Sequence, residues 1–152
     1  MKLSYEKHLK IAEEEHIEDK EGYAWRRLEK EVYDGCQALE YEINTLTNSR
    51  GEVPFITLTF GLGTSKFAQM FQMQYLKNRQ RGFDGITPVF PKLCFITKAG
   101  LNLYPNDPQY YIYKEALKTS SMRLYPDYLN YEQVEKATSS FKSPMGEILL
   151  PL

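Results

Sequence analysis

The sequence predicts an α/β fold in which parallel strands are joined by a helix, with a long amphipathic helix before them and further helices after them. Three observations carry this prediction. An apolar stripe with helical spacing runs from Trp25 to Leu46. Two short apolar segments, residues 53–60 and 89–97, have the character of strands, and a helical segment, residues 65–81, lies between them. Strands that are joined through a helix favour a parallel βαβ unit.

Composition sets broad limits on the function. The chain has 152 residues, of which 42% are hydrophobic, and this is enough for one domain with a core. Its net charge of -1 gives no electrostatic attraction to nucleic acid or acidic lipid. No apolar run approaches membrane-spanning length, and the N-terminus is charged from Lys2 onward. The two cysteines are too few for a disulfide framework, so a cytoplasmic protein is expected, with neither nucleic acid nor membrane as partner.

Residues 1–47 are predicted to form a helical N-terminal segment. Residues 4–20 are rich in charge and are expected to form a solvated helix. The amphipathic helix that follows has an apolar stripe made of Trp25, Leu28, Val32, Cys36, Leu39, Ile43 and Leu46. Gly35 lies inside this helix, where glycine costs up to ~1 kcal/mol relative to alanine. We therefore predict that a neighbouring element packs closely against Gly35.

Residues 48–146 are predicted to form the α/β body. Along the first strand, Phe55, Thr57 and Thr59 share one face, while the residues between them share the other. Gly61 and Gly63 end this strand. The helix that follows is predicted to begin with Thr64 or Ser65 as N-cap and to end near Arg81, with Gly82 as C-cap.

Only helices are predicted after the second strand, which is apolar on both faces. One of them is expected to begin at Asp107 and Pro108, because proline suits the first helical position. A short one is expected after Asn130, where Gln133 completes a sequence similar to a capping box. Two parallel strands are too few for a stable sheet, so the sequence supplies a slice of a larger sheet or barrel.

A glycine loop between a strand and a helix sometimes holds a phosphate, and residues 61–66 have this composition. The glycine spacing does not fit the P-loop pattern, and Lys66 follows the hydroxyl residues instead of preceding them. A plain turn is the favoured interpretation, and a small phosphate- or nucleotide-binding protein is a weaker alternative.

Eight segments resemble the oxygen-sensitive (anaerobic) ribonucleoside-triphosphate reductases, which are glycyl radical enzymes. No single segment is diagnostic, but all eight occur in the family's order. They are residues 44–50 (NTLTNSR), 53–65 (VPFITLTFGLGTS), 87–93 (TPVFPKL), 100–102, 107–108, 122–127 (MRLYPD), 129–131 and 141–146 (FKSPMG). The resemblance implies a ten-stranded α/β barrel, of which this chain would form a βαβ slice.

The same resemblance places the family's catalytic cysteine directly after Gly146, at the tip of a loop. This sequence has Glu147 there, and residues 147–152 are predicted to be a non-homologous tail. A thiol suits hydrogen-atom abstraction because its S–H bond is weak, whereas a carboxylate offers no such route. No catalytic residue is therefore assigned to this chain. Cys36 and Cys94 lie at apolar positions, where a structural role is favoured over a catalytic one.

The resemblance also implies cofactors and partners for the full-length enzyme. It implies a glycyl radical installed by a radical-SAM activating enzyme, a zinc site, and formate or a thiol as reductant, with none of these groups held by this chain. The radical glycine and the four-cysteine zinc site are expected downstream of Leu152, and a second cysteine and a nucleotide-sensing segment upstream of Met1. The expected partners are the remaining segments of the reductase, in the same chain or in trans, the activating enzyme and nucleoside triphosphates.

Substrate-binding candidates come from the strand and the loop stem that border the active site in the family. They are Thr57 and Thr59 on the first strand and Met145 and Gly146 before the loop tip. Most relatives carry asparagine where this sequence has Thr59. Threonines also fit a pleated strand face for steric reasons alone, and this alternative stays open.

The predicted function is a fragment of an anaerobic ribonucleoside-triphosphate reductase that is inactive alone. The principal alternative is a non-catalytic interaction module that complements a second chain.

Overall fold

The computed structural model describes residues 1–45, 51–52, 54–83 and 85–137. In these ranges the chain forms five helices and three strands. Their order is α1 (Lys2–Glu14), α2 (Lys20–Thr45), β1 (Thr57–Phe60), α3 (Lys66–Arg81), β2 (Lys92–Thr97), α4 (Tyr110–Arg123), β3 (Asp127–Asn130) and α5 (Tyr131–Ala137). The α/β fold class is confirmed, whereas the ten-stranded barrel and the division at residues 47 and 146 stay predictions.

The three strands form one parallel sheet in the order β1-β2-β3. The units β1-α3-β2 and β2-α4-β3 are both βαβ units, and the first is the one that the sequence predicts. The prediction that only helices follow β2 is wrong. β3 has four residues, with polar Asp127 and Asn130 at its ends, so it lacks a periodic apolar pattern. Its pairing with the buried strand β2 makes it a strand.

Helices cover one face of the sheet in the described part of the chain. The side chains of that face belong to Leu58, Phe60, Leu93, Phe95 and Tyr128. They pack against Leu76 of α3, Ile112 and Ala116 of α4, and Cys36 of α2. The opposite face carries the alternate residues of each strand, and no described helix covers it. A parallel sheet normally has both faces buried, so this slice lacks one layer.

The two N-terminal helices form an antiparallel pair, and α2 packs in turn against α3. The expected solvated segment is the helix α1, but one of its faces is buried through His8 and Ala12. The stripe of α2 is confirmed at Leu28 and Ile43, which are buried, whereas Leu39 is exposed.

The prediction for Gly35 is wrong. Apart from the adjoining residues and the nearby backbone of α2 itself, no heavy atom lies within 4 Å of the point that a Cβ would occupy there, so this glycine faces open space.

The predicted helix boundaries are confirmed in part. Ser65 is the N-cap of α3, because its Oγ accepts a hydrogen bond from the backbone N–H of Ala68, and Gly82 is the C-cap. α4 begins at Tyr110, later than predicted, because the Asp107 carboxylate accepts from the N–H of Tyr104 and closes a turn instead of capping the helix. For α5, Asn130 accepts from the N–H of Gln133, as a cap should.

A buried ion pair joins α2, α3 and the segment before β2. Glu40 and Arg79 are 1% and 0% exposed. The Arg79 Nε lies 2.7 Å from Glu40 Oε1, and Asn78 donates to the other carboxylate oxygen at 2.9 Å. Arg79 Nη2 donates to the carbonyl of Pro91 at 2.8 Å. Glu40 lies off the apolar stripe of α2, where a charged side chain is expected to face solvent, and it is buried because its partner Arg79 comes from another helix.

Candidate functional site

The open face of the sheet carries the polar side chains predicted to border a substrate. Thr57 and Thr59 of β1 lie on this face, as the alternation predicts. The parallel register sets Lys92 beside Thr57 and Cys94 beside Thr59, and Asp127 follows Cys94 on β3. The face therefore carries two hydroxyls and two opposite charges, with the buried thiol of Cys94 between them, within three adjacent strands.

Lys92 and Asp127 neutralise each other across this face. Their charged atoms, Lys92 Nζ and Asp127 Oδ2, lie 2.8 Å apart, and each side chain is about half exposed, at 47% and 51%. The hydrogen bond to Asp127 raises the pKa of Lys92, which therefore keeps its charge. The pair offers a donor and an acceptor without adding net charge to the face.

Neither cysteine has the environment of a reactive thiol. Burial, followed by the charge of Asp127, raises the pKa of the Cys94 thiol. Burial together with Glu40 raises the pKa of Cys36 to about 12. Reactive cysteines have depressed pKa values and some exposure, and both thiols lack these properties. The structural role predicted for Cys36 and Cys94 is consistent with this burial.

The carboxyl ends of β1 and β2 are held together by Asn102. This side chain is 0% exposed, and its Nδ2 donates to the carbonyls of Gly61 at 2.8 Å and Ile96 at 3.1 Å. Its Oδ1 accepts from the backbone N–H of Lys98 at 2.8 Å. Gly61 has φ 126° and its hypothetical Cβ would lie 2.3 Å from the Ile96 carbonyl oxygen, so only glycine fits there.

The glycine turn has the features of a plain strand-to-helix connection. The Ser65 hydroxyl already accepts a hydrogen bond from the N–H of Ala68. Two carbonyls of the turn accept hydrogen bonds from side chains of α3: the Gly63 carbonyl from Gln72 and the Thr64 carbonyl from Gln69. Gly63 packs against Ala68, whose Cβ lies 2.6 Å from the position of an added Cβ. Packing thus accounts for both glycines, and these contacts favour the turn over the phosphate interpretation.

The structure describes the positions of only some of the predicted site residues. Thr57 and Thr59 lie together on the open face. Met145, Gly146 and Glu147 fall outside the described residues, so their roles stay predictions. Sequence reasoning missed Lys92, Asp127 and Asn102. All three lie in segments given for the family resemblance, but the position of β3, which brings Asp127 to Lys92, was not visible in the sequence.

The described ranges hold neither a metal-ligand cluster nor a membrane-spanning helix. No group of three or more His, Cys, Asp or Glu side chains there is arranged to hold a metal ion, so no ligand set for zinc is found among them. No described helix is both long and apolar enough to cross a membrane.

Comparison with known proteins identifies the family. A family model described as anaerobic ribonucleoside-triphosphate reductase matches residues 7–148. The chain belongs to this family. The match begins well before the first of the quoted segments, so the N-terminal helices α1 and α2 are part of the family's sequence as well.

Individual reductases are similar over nearly the whole chain. The anaerobic ribonucleoside-triphosphate reductase of Haemophilus influenzae is 54% identical over 148 residues, which are 96% of this chain and 21% of that protein. The enzyme of Escherichia coli is 52% identical over 145 residues, or 94% and 20%. The enzyme of enterobacteria phage T4 is 47% identical over 150 residues, or 96% and 25%. The chain thus spans about a fifth to a quarter of the length of these relatives.

Proposed function

We propose that this chain forms one wall of the substrate site in an anaerobic reductase that converts ribonucleoside triphosphates to deoxyribonucleoside triphosphates. The observation that carries the proposal is the open polar face of the parallel sheet. A sheet whose second face presents Thr57, Thr59, Lys92 and Asp127 is built to face a polar cavity. The family match supplies the reaction class.

The side chains of this wall bind and orient the substrate, and they take no part in the chemical step. Threonine hydroxyls donate and accept hydrogen bonds, and so they suit the hydroxyl groups of a ribose. The Lys92–Asp127 pair holds its charges in place, and burial, followed by the charge of Asp127, raises the pKa of the neighbouring Cys94 thiol. Fixed dipoles of this kind position a substrate before reaction without adding a reactive group of their own.

The radical chemistry belongs to groups outside the described wall. We propose that the whole enzyme carries a glycyl radical installed by an activating enzyme, and that the loop cysteine comes from a segment outside this chain, because Glu147 follows Gly146 here. That radical supplies the hydrogen-abstracting chemistry when it is present. Within this chain, Cys36 and Cys94 are buried and their pKa values are raised, so neither replaces the loop cysteine. The zinc site that the family resemblance implies lies outside this wall in our proposal.

The test compares the chain alone with a chimera. The 152-residue chain, supplied with activating enzyme and reductant, is expected to give no turnover of any ribonucleoside triphosphate. Residues 1–146, exchanged for the aligned segment of the Haemophilus influenzae reductase, are expected to support turnover. Thr59→Val in that chimera should lower kcat/KM by about 2–10-fold, the effect of one lost neutral hydrogen bond.

Thr45→Val is the matched control. Thr45 is exposed on α2 and its hydroxyl bonds only to carbonyls of its own helix, so turnover should not change. Turnover by the isolated chain, or equal activity of the Thr59→Val and parent chimeras, would contradict the proposal.

A second candidate, an interaction module that complements another chain, is supported by the edges of the sheet. In the described part of the chain, β1 and β3 each pair with β2 alone, and their outer edges have no strand partner. Large apolar side chains lie exposed near the amino ends of β1 and β2, with Phe55 at 91% and Val89 at 64%. Unpaired edges and apolar patches mark a surface that another segment covers. Binding of a complementing reductase segment to the intact chain would support this candidate.

A further inference from the structure

An apolar cleft opens at the carboxyl end of β1, where the strand turns toward α3. Its volume is about 460 Å³, within the ~300–1,000 Å³ of clefts that bury most of a small ligand. Apolar side chains line most of it, among them Phe60, Leu62, Phe71 and Ile96. None of the described residues that line the cleft has a charged side chain. The cleft therefore suits an apolar occupant.

Gln72 gives the cleft a polar atom that has no partner. The residue lines the cleft and is 3% exposed. Its Nε2 donates to the carbonyls of Gly63 and Ala68, both at 3.1 Å, so the other end of the amide is the oxygen. This Oε1 is buried and accepts no hydrogen bond from any described residue. Buried acceptors are nearly always hydrogen-bonded, so the occupant must donate a hydrogen bond as well as present apolar groups.

Residues 148–152 of the same chain have both properties. Their sequence, Ile-Leu-Leu-Pro-Leu, has four branched aliphatic side chains and no charged one. Pro151 disfavours a helix and favours an extended conformation for Leu150 before it. In an extended segment, the backbone N–H groups of Leu149 and Leu150 find their hydrogen-bond partners outside the segment. A donor for Gln72 Oε1 is thus available beside aliphatic side chains.

The chain is long enough for this segment to reach the cleft. The helix α5 begins directly after the carboxyl end of β3 and has seven residues. β3 lies two strands from β1, or about 10 Å across the sheet, and α5 is about 10 Å long. Residues 138–147 add ten residues, which span up to about 33 Å when extended. Because the start of α5 and the cleft lie at the same end of the sheet, this length suffices.

We propose that residues 148–152 dock in this cleft, with the backbone N–H of Leu149 or Leu150 donating to Gln72 Oε1. The tether keeps the segment at a high effective concentration beside the cleft, so that a few weak contacts suffice for docking. Docking also removes aliphatic side chains from water. The segment then acts as an autoinhibitory element, because it closes the cleft to other ligands. This inference goes beyond the proposed function and does not rest on it.

The first experiment locates the segment with a spin label on the full chain. Leu152→Cys is labelled with a nitroxide, and the parent chain, whose two cysteines are buried, is treated in the same way as a control for labelling elsewhere. The methyl NMR signals of Leu62 and Ile96 in the cleft should be lost through paramagnetic broadening. The signal of Val89 should remain, because Val89 lies seven residues before Ile96 and about 20 Å away along the strand direction.

Leu149→Asp tests the apolar contact in the spin-labelled chain, and Ser140→Asp is its matched control. The first variant would place a carboxylate among apolar side chains, which is unfavourable, so the signals of Leu62 and Ile96 should return. The second variant adds the same charge outside the docking segment, and the two signals should stay lost.

Gln72→Met tests the hydrogen bond, because it removes the acceptor and keeps the side-chain length. Hydrogen exchange of the donating N–H, at Leu149 or Leu150, should be about tenfold faster in this variant. Gln69→Met is the matched control, since Gln69 lies on α3 outside this cleft, and circular dichroism reports whether each variant is folded. An unchanged exchange rate in folded Gln72→Met would overturn the hydrogen bond. If this variant does not fold, Leu149→Asp against its control decides the proposal.

A mixed sample separates docking within one chain from docking of a second copy. Isotope-labelled chain without the spin label is mixed with spin-labelled chain without isotopes, and the signals of Leu62 and Ile96 should then remain. Their loss in this mixture would assign the cleft to a second copy and overturn the proposal. Equal broadening of Ile96 and Val89, or cleft signals that stay lost in Leu149→Asp, would overturn it as well. Turnover by the chimera tests the proposed function separately, because the chimera takes only residues 1–146 from this chain.

Discussion

Single side chains decide the geometry at the carboxyl end of the sheet. Ser65 begins α3, Gly61 allows the strand to turn against the Ile96 carbonyl, and Asn102 joins two strand ends through three hydrogen bonds. Each residue type is required by a specific backbone need, namely an N-cap oxygen, a positive φ and a group that both donates and accepts. The carboxyl end of β1 has a fixed shape because Asn102, distant in sequence, bonds directly to Gly61.

Ser65→Ala tests the cap. Loss of the Oγ leaves the N–H of Ala68 without its side-chain acceptor, so the free energy of unfolding should fall by ~1 kcal/mol in urea denaturation. Thr64→Ala is the control and should change it by less than about 0.5 kcal/mol. A thermal melt with millimolar ATP should show no shift in either protein. An ATP-dependent rise in Tm that Gly63→Val abolishes would favour the phosphate interpretation of the turn.

At the scale of elements, a buried charge pair ties the helical layer to the sheet. Glu40 of α2 and Arg79 of α3 form an ion pair, and Arg79 Nη2 donates to the carbonyl of Pro91 just before β2. Asn44 adds a second link, because it accepts from the N–H of Phe90 and donates to its carbonyl. The segment that leads into β2 is thus held by polar contacts from two helices, which fixes where the strand begins.

Arg79→Met should destabilise the chain strongly, because it leaves the Glu40 carboxylate buried without its cation. The expected loss is ~3–5 kcal/mol of unfolding free energy, and the double variant Glu40→Met with Arg79→Met should lose less than Arg79→Met alone. Lys30→Met removes the exposed Lys30–Asp34 pair and should cost less than ~1 kcal/mol. Equal losses for Arg79→Met and Lys30→Met would show that the buried pair contributes no more than a surface pair.

At the scale of the whole molecule, the described chain resembles a slice through a larger layered structure. A central strand, β2, is buried on both faces, while helices cover only one side of the sheet. Relatives that are four to five times longer contain the polypeptide that would complete such a structure. The open face, the two unpaired edges and the exposed Phe55 are consistent with this arrangement.

The isolated chain should therefore self-associate. Exposed edges and apolar side chains favour pairing between copies, and we expect higher-order species in analytical ultracentrifugation and enhanced fluorescence of a hydrophobic dye. A Phe55→Ser and Val89→Ser double variant should reduce dye binding, whereas Lys2→Ser, on the exposed side of α1, should not. A monodisperse monomer with a sharp, cooperative melt would point instead to a self-sufficient domain.

The sequence by itself determined the elements whose signals are local. The period of α2 apart from Leu39, the cap and end of α3, and the alternation along β1 follow from residue type and spacing, and they appear in the structure. The order of the quoted segments also indicated the reductase family, which the family match confirms. Local signals suffice there because helix caps and side-chain periodicity act within a few residues.

Only the tertiary structure decided the features that depend on distant partners. β3 is a strand because β2 offers a ladder, Glu40 is buried because Arg79 reaches it from another helix, and Asp127 joins the open face through its register with Cys94. Asn102 donates hydrogen bonds to the ends of two strands, which lie close together only in the folded chain. In each case the stabilising partner comes from another segment of the chain. Residue spacing within one segment therefore cannot predict it.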